Sequence, residues 1–323
     1  MRKLGLFVNM TGKPGGAAGG GGGGGGFSPY MDAYGADIPK AAFALRKVKS
    51  GATYAITVRR SSDSATQDIG FNATTGELDT AALLSFVGAG DGYVTRWYDQ
   101  IAGLNLIQPV ATQQPRIVIG GALVTLNGKP TIDFAQNLGL GVGQLLVADL
   151  TSVQAAVAPA FHLAFAIETL IAQPSAYPRL AAMQPVYPDG GVGDYTQPLG
   201  LYLEVASGGN FALQRAGQSA PYTAGSGVVG KYLINAYRER GTSNAKTAAG
   251  WSSFLDSRVW GDFTMTPTML TVGSTNNTWD GVGFHGRIAE VNLWADDTAG
   301  TTANTKASAT DMNTRFALGA VIP

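Results

Sequence analysis

The sequence contains no cysteine, little charge and few histidines, and each shortage excludes a class of protein. Without cysteine there is no disulfide, no thiolate metal site and no cysteine nucleophile, so burial and hydrogen bonding must hold the fold together. Charged residues make up 14% of the chain, and 22 basic residues balance 22 acidic ones, which argues against a nucleic-acid partner. The histidines, His162 and His285, are too few for a multi-histidine metal centre, and we predict no metal site.

Long apolar runs are missing as well. The apolar stretch over residues 161–171 is interrupted by His162 and Glu168, and it is shorter than the roughly 18 apolar residues that a membrane-spanning helix needs. We therefore expect no membrane insertion.

Glycine, in contrast, is abundant, and residues 19–26 are an unbroken run of eight. The run lacks the Gly-Lys-Ser/Thr ending of a phosphate loop, so it predicts no nucleotide cofactor. Alone it would be a flexible tether, because nothing offsets the conformational entropy of glycine. Only glycine lets extended chains pack axis to axis, so neighbouring copies could order the run. We predict that residues 1–26 form an anchor and glycine-rich stalk in a homotrimer, and that residues 27–323 form the folded domain.

Most of the remaining chain has the pattern of short strands. Tyr54, Ile56 and Val58 alternate with more polar neighbours, which predicts a strand with those three side chains on its buried face. Similar segments are residues 93–98, 116–119, 122–126, 161–168, 199–205, 211–215, 232–237, 269–272 and 287–294. Turn residues separate them, for example Asn127-Gly128. Many short strands divided by glycine and asparagine predict an all-β fold, an antiparallel β-sandwich.

Short helices are predicted at three places. Asp37 and Pro39 resemble a helix start in the leading region 27–52, with a stop at Gly51. A second helix is expected over residues 80–87. In the closing segment 296–323, we predict a loop over residues 296–304 and a short helix over residues 311–318.

A series of motifs between residues 41 and 134 carries a family resemblance. The motifs are ALRK at 44–47, TVRRSSD at 57–63, DIGF at 68–71, WYDQ at 97–100, NLIQP at 105–109, QPRI at 114–117 and NGKP at 127–130. Together they resemble the catalytic-domain family of fungal α-L-arabinofuranosidase B, which implies a concanavalin A-like sandwich. Residues 284–291 also resemble the closing strand of laminin-G-like domains. Family members carry a nucleophilic carboxylate in a Met-Glu-Ala context, and the nearest counterpart here is residues 200–203, where a leucine takes its place. The resemblance therefore implies the fold, and we do not expect catalysis.

The order of segments is similar to that of bacteriophage tail and fibre proteins, in which a sandwich is displayed on a trimeric stalk. This resemblance implies a virion structural protein, made in the host cytoplasm, that contacts other tail proteins through residues 1–26. Its lectin-like domain would attach to a host-surface glycan. The alternatives are an arabinofuranosidase-like glycoside hydrolase acting on surface polysaccharide, and an architectural virion protein that binds no sugar.

Two loops have the composition of a sugar site, which needs an aromatic ring to stack on and short polar side chains to bind hydroxyls. The loops span residues 273–281 and 187–195. The candidate ligand-binding residues are Asn276, Asn277, Trp279, Asp280, Asp189 and Tyr195. For Trp279, packing against the edge of the sandwich is the structural alternative.

Several carboxylates are candidates for other roles. Hydrolysis would need two in one cleft. The candidates are Glu168, Asp189, Asp194, Glu204 and Glu290. No two form a diagnostic motif, so we predict no catalytic residue. For Glu168 and Glu290 the structural expectation is a solvent-facing strand residue or an ion pair with Arg287. Asp189 and Asp194 leave calcium binding open. His162 is expected to be packed or hydrogen-bonded.

Overall fold

The computed structural model describes residues 27–135, 143–157, 161–170, 179–184, 201–206, 210–215, 224–226, 229–238, 244–249, 258–259, 267–274, 283–295, 299–320 and 322. Residues 1–26, predicted as anchor and stalk, lie outside this set. The described strands are β1 (Ala41–Ala44), β2 (Tyr54–Arg60), β3 (Thr66–Gly70), β4 (Gly92–Trp97), β5 (Leu106–Ile107), β6 (Arg116–Ile119), β7 (Ala122–Leu123), β8 (Thr125–Leu126), β9 (Lys129–Pro130), β10 (Ile132–Asp133), β11 (Leu146–Asp149), β12 (Phe161–Thr169), β13 (Arg179–Gln184), β14 (Leu201–Ala206), β15 (Asn210–Arg215), β16 (Ala224–Ser226), β17 (Gly230–Arg238), β18 (Asn244–Ala249), β19 (Arg258–Val259), β20 (Met269–Val272) and β21 (Gly286–Ala295). The described helices are α1 (Thr80–Val87), α2 (Gln154–Val157) and α3 (Ala299–Phe316), with 3₁₀ turns over Tyr30–Tyr34 and Ala111–Gln113.

The strands are antiparallel, and 19 of them form one continuous sheet that folds into the two layers of a sandwich, which confirms the all-β sandwich; β8 and β9 form a separate two-stranded sheet. We call the two layers the small sheet and the large sheet. In the small sheet the order is β19-β18-β17-β12-β21-β1, with β10 beside β1 on the same edge of β21. In the large sheet the order is β3-β2-β4-β5-β11-β20-β13-β14-β15-β16. Strand β6 pairs with the first residues of β4, whereas β5 pairs with its last residues, and β7 pairs with β6. Among the described residues, the register pair of Arg116 with Asp133 connects the two sheets, and a bridge between Phe43 and Asp99 links β1 to the residues after β4.

The main core lies between the sheets and is built from alternate residues of both. Phe165 and Val291 come from the small sheet, and Trp97 and Leu270 from the large one. The rings of Phe43 and Trp97 lie 6.0 Å apart across this interior. Burial of each such side chain contributes on the order of 2 kcal/mol to stability, so the interior can hold the fold without disulfides.

The helix predicted from Asp37 and Pro39 is wrong, because residues 41–44 form strand β1. This strand pairs with β21, with Phe43 opposite Val291. All four of its side chains are buried, Phe43 in the main core and Ala42 in a small cluster with Met31. A short apolar run that is buried on both faces has the same sequence pattern whether it is strand or helix, so periodicity could not separate them.

Two predicted features of local chemistry are confirmed. Helix α1 begins after Asp79, whose carboxylate accepts a hydrogen bond from the Ala82 amide at 3.0 Å, and it ends before Gly88. The pair Asn127-Gly128 has φ angles of 50° and 76°, as a two-residue hairpin turn requires, and it joins β8 to β9.

The closing helix is much longer than predicted. Residues 299–304, expected to be loop, belong to the 18-residue helix α3. Its buried side chains, including Met312 and Phe316, pack on Ala164 and Leu233 of the small sheet. Threonine and alanine give this helix little amphipathic signal, and tertiary packing decides its length. The outer face of the small sheet is therefore covered by α3.

The WYDQ motif has a structural role at Asp99. Oδ1 accepts hydrogen bonds from the amides of Ala42 and Ile101, at 2.8 and 3.0 Å. Oδ2 accepts from the amides of Ala102 and Leu104, at 2.8 and 3.0 Å. One buried carboxylate thus ties a loop after β4 to strand β1.

Candidate functional site

The residues that the sequence predicts as ligand-binding lie outside the described part of the chain. They are Asn276, Asn277, Trp279, Asp280, Asp189 and Tyr195. What the structure describes is the framework to which their loops are attached. That framework is the neighbouring strands β20, β13 and β14 of the large sheet.

The described residues on either side of Trp279, Gly273 and Phe284, are hydrogen-bonded to each other. The Gly273 amide donates to the Leu180 carbonyl at 2.8 Å, and its own carbonyl accepts from the Phe284 amide at 2.7 Å. Gly273 has φ of 92°, and a Cβ there would run into the Phe134 ring, so only glycine suits this position. Gly273 is thereby fixed to strand β13, and Phe284 is fixed to Gly273.

The two predicted loops leave the sheet at opposite ends of one strand pair. Gln184, the last residue of β13, is opposite Met269, whereas Ala181 is opposite Val272. The chain therefore leaves β13 toward residues 185–200 beside the beginning of β20, and it leaves β20 toward Trp279 at the other end of the same strand pair. The two points at which these segments leave the strand pair are three residues apart, which is about 10 Å along the strand.

The outer face of the large sheet, the side away from the core, is the candidate functional face. Leu270 and Val272 point into the core, so Thr271 between them faces outward. Directly opposed residues share a face, and the strand registers extend this row in both directions. In order across the sheet, the row is Asp68, Thr57, Arg96, Ile107, Val147, Thr271 and Ala182.

The row changes from exposed to buried along its length. Asp68 and Arg96 are exposed at one end, whereas Thr271 is fully buried. Among the residues that the structure describes, Thr271 Oγ1 has no hydrogen-bond partner. A buried hydroxyl without a partner costs about 1–3 kcal/mol, and because Thr271 is fully buried, the part of the row that a ligand can reach is the exposed end at Asp68 and Arg96. The alternation in residues 269–272 hints at an outward Thr271, but its neighbours come from distant strands that sequence alone does not pair.

The carboxylates whose side chains are described have structural partners. Glu168 Oε2 pairs with Arg287 Nη1 at 2.9 Å, and Glu290 pairs with Arg46 at 2.9 Å. The expected ion pair with Arg287 is therefore confirmed for Glu168 and wrong for Glu290, because a bulge in the pairing of β12 with β21 places Arg287 opposite Glu168. Glu290 is also fully buried, so the solvent-facing alternative is wrong for it. The side chains of the other candidates, Asp189, Asp194 and Glu204, lie outside the description.

The described residues show neither a metal-binding group nor a membrane-spanning helix. Within them, no three His, Asp or Glu side chains come together in a group that could hold a metal ion. No helix there has both the length and the apolar content to cross a membrane.

His162 is buried on the outer face of the small sheet, as predicted. Its ring nitrogen Nε2 lies 2.9 Å from Asn235 Oδ1, a hydrogen bond in which the neutral imidazole donates. Burial lowers the pKa of His162 from 6.5 to about 4, although the bond to Asn235 opposes this shift. The folded protein therefore keeps this ring neutral where the unfolded chain would protonate it.

Acidification should consequently destabilise the fold through His162. Above about pH 6.5 the His162 ring is neutral in both the folded and the unfolded chain, and no stability is lost. Between pH 6.5 and 4 only the unfolded chain binds the proton, so the free energy of unfolding falls as the pH falls. Below about pH 4 both states are protonated, and the loss is constant. At pH 4.5 the loss is about 2–3 kcal/mol. Between pH 7 and 4.5, urea unfolding should show a loss of stability in the wild type that is about 2–3 kcal/mol larger than the loss in His162→Asn. An equal pH dependence in both proteins would contradict the assignment.

Comparison with known proteins identifies the fold. No family model matches the chain, and no curated protein sequence matches it. An arabinofuranosidase in complex with arabinofuranosyl-α-1,2-xylobiose is similar with a TM-score of 0.64 and 16% identity, over 88% of this chain and 64% of that one. A GH54 α-L-arabinofuranosidase soaked with a cyclic sulfate inhibitor has a TM-score of 0.63 and 17% identity, over 92% of this chain and 66% of that one. A glutamate-to-glutamine mutant of a GH54 enzyme, soaked with 4-nitrophenyl α-L-arabinofuranoside, has a TM-score of 0.64.

These likenesses establish that the sandwich has the arabinofuranosidase type of fold. The chain spans slightly less than two thirds of the length of those enzymes. The fold expected from the motifs at 44–130 is therefore confirmed, and it extends well beyond them.

Proposed function

We propose that this chain is a carbohydrate-active protein that binds a polysaccharide on the outer face of the large sheet. The observation that carries the proposal is the match to arabinofuranosidases over about nine tenths of the chain. The other sheet has its outer face covered by α3, and the large sheet bears both loops of sugar-site composition.

Hydrolysis of an α-L-arabinofuranoside is the first activity to test, because the similar structures are of enzymes with that name. It requires two carboxylates about 5–5.5 Å apart for retention or about 6.5–9.5 Å apart for inversion. Glu168 and Glu290 are committed to Arg287 and Arg46, so they are unsuitable. Glu204 and Asp280 are the candidates to mutate, one on β14 and the other in the loop after β20.

Attachment without hydrolysis is the second candidate. A leucine stands where the resemblance places the nucleophile, and a glycine run precedes the domain. Both features favour display of a glycan-binding domain on a virion surface, in a homotrimer joined to tail proteins by residues 1–26.

The two candidates separate in one experiment with the full chain. We expect its migration to be slowed in gels that contain arabinoxylan but not in gels that contain unsubstituted xylan. Release of 4-nitrophenol from 4-nitrophenyl α-L-arabinofuranoside, lost in Glu204→Gln and kept in Glu168→Gln, would establish the hydrolase. Retardation without release would establish the attachment protein. If the chain showed neither retardation nor release, the proposal would be wrong.

A further inference from the structure

Two tyrosines form an exposed aromatic platform at the rim of the outer face. The rings of Tyr54 and Tyr98 lie 5.7 Å apart, with 41° between their planes. Alternation predicts Tyr54 on the buried side with Ile56, but it is 42% exposed. The pairing of β2 with β3 shifts register between Tyr54 and Ile56, and this bulge turns the ring outward. An exposed large ring held by a bulge is a feature that folding alone does not require.

The platform forms one wall of a cleft of about 440 Å³, which is in the size range of small-ligand sites. Lys49 and Ile101 contribute to the other walls. A second cleft of about 460 Å³, lined by Phe27 and Phe71, shares residues 51–53 with the first. Two adjoining clefts with aromatic walls suit an extended ligand better than a single small molecule.

The carboxylate of Asp68 lies beside the platform, and two hydrogen bonds fix its orientation. Oδ1 of Asp68 accepts hydrogen bonds from Thr57 Oγ1 at 2.6 Å and from the Tyr98 hydroxyl at 3.1 Å. Within the described part of the chain, Oδ2 of Asp68 accepts none. Asp68 is exposed, so this second oxygen is available to a ligand. The two bonds to Oδ1 fix the carboxylate in place and reduce the entropy that binding would cost.

The charges around the platform balance. Arg96 stacks over the Tyr98 ring at 5.4 Å and offsets the charge of Asp68. Lys49 is neutralised by Asp32, with Nζ to Oδ1 at 2.8 Å. The cleft offers two flat rings, and the carboxylate of Asp68 and the guanidinium of Arg96 lie beside its tyrosine wall without excess charge, which fits a neutral ligand rich in hydroxyls.

We propose that the Tyr54–Tyr98 cleft is a second glycan-binding site, separate from the loops that carry Trp279 and Asp189. A neutral sugar ring stacks on the two tyrosines, its neighbouring hydroxyls donate to Asp68 Oδ2, and Arg96 donates to its oxygens. The site rests on the proposed function, which it deepens: a chain that is bound at the loops and at this rim is a polysaccharide and not a short oligosaccharide. Two linked sites also raise the affinity for a polymer above that of either site alone.

Affinity electrophoresis in arabinoxylan gels tests this site. We expect Tyr54→Ala and Asp68→Asn each to weaken retardation about tenfold, with unchanged melting temperatures because both side chains are exposed. Val229→Ala, an exposed apolar residue outside the cleft, should match the wild type.

The outcomes distinguish this inference from the proposed function. Wild-type affinity in Tyr54→Ala and Asp68→Asn, together with weakening in Trp279→Ala, would overturn the second site and leave the proposed function standing. Weakening in Tyr54→Ala and Asp68→Asn with none in Trp279→Ala would support the cleft and overturn binding at the loops. A wild-type protein that arabinoxylan does not retard would defeat both.

Discussion

Glu290→Ala will lower the free energy of unfolding by about 3–5 kcal/mol, because it leaves a buried guanidinium without its main partner. The Glu290 carboxylate is fully buried and accepts hydrogen bonds from Arg46 Nε at 3.0 Å and from the Tyr30 hydroxyl at 3.0 Å. Asn292 Nδ2 lies 3.2 Å from the same carboxylate, and Arg46 also pairs with Asp311 of α3. One residue of β21 thus joins the small sheet to the 3₁₀ turn at Tyr30–Tyr34 and to the closing helix.

Glu290, Arg46, Tyr30 and Asp311 form one cluster of hydrogen bonds and ion pairs, in which the pKa values of Arg46 and Tyr30 depend on their neighbours. Burial by itself lowers the pKa of Arg46, but Glu290, Tyr30 and Asp311 together outweigh burial, and the pKa lies above its usual value. Burial and the Glu290 carboxylate raise the pKa of Tyr30. The guanidinium therefore stays charged in the folded state, and it cannot escape the loss of Glu290 by releasing its proton.

Urea denaturation followed by tryptophan fluorescence measures the effect. The double variant Arg46→Met/Glu290→Ala should cost less than the sum of the two single variants, since each single change leaves the other charge buried. Lys129→Ala is the control: its ion pair with Glu77 spans 3.6 Å and the lysine side chain is 40% exposed, so the cost should be about 1 kcal/mol or less. A Glu290→Ala cost as small as that of Lys129→Ala would refute the role of the cluster.

Local chemistry in the sequence was sufficient for several parts of the fold. The Asp79 cap and the Asn127-Gly128 turn depend on neighbours within a few residues, and both are found as predicted. The alternation in residues 54–59 identified a strand but misplaced Tyr54, because a bulge reverses the side of one residue without a trace in composition.

Features that depend on distant contacts could not be predicted. Strand β1 is specified by its pairing with β21, some 250 residues away, and helix α3 by the sheet surface beneath Met312 and Phe316. The candidate face has the same origin: Thr271 and Arg96 share one row only because β5 and β11 lie between their strands. Sequence could name loops of suitable composition, but it could not say which sheet holds them.

Asp99→Ala is the second substitution with a large expected effect, a loss of about 4 kcal/mol. Four backbone amides lose their acceptor at once, and buried donors without partners cost about 1–3 kcal/mol each, reduced where water can enter the cavity. Because the Ala42 amide belongs to β1, the damage should reach the edge of the small sheet. Hydrogen exchange should accordingly become faster at residues 41–44 as well as at 101–104.

Asp99→Asn and Asp149→Ala provide the graded comparison. Asparagine keeps one acceptor oxygen but turns an amide group toward two of the four donors, so it should cost less than alanine and still clearly destabilise. Asp149 is exposed and accepts from the Thr151 amide at 2.8 Å, so its loss should cost about 1 kcal/mol or less. If Asp99→Ala unfolded no more easily than Asp149→Ala, the four amides would have found other partners, and WYDQ would need another explanation. The expected order instead makes Asp99 a structural aspartate, which directs the search for ligand-binding carboxylates to Asp68 and to the loops of the large sheet.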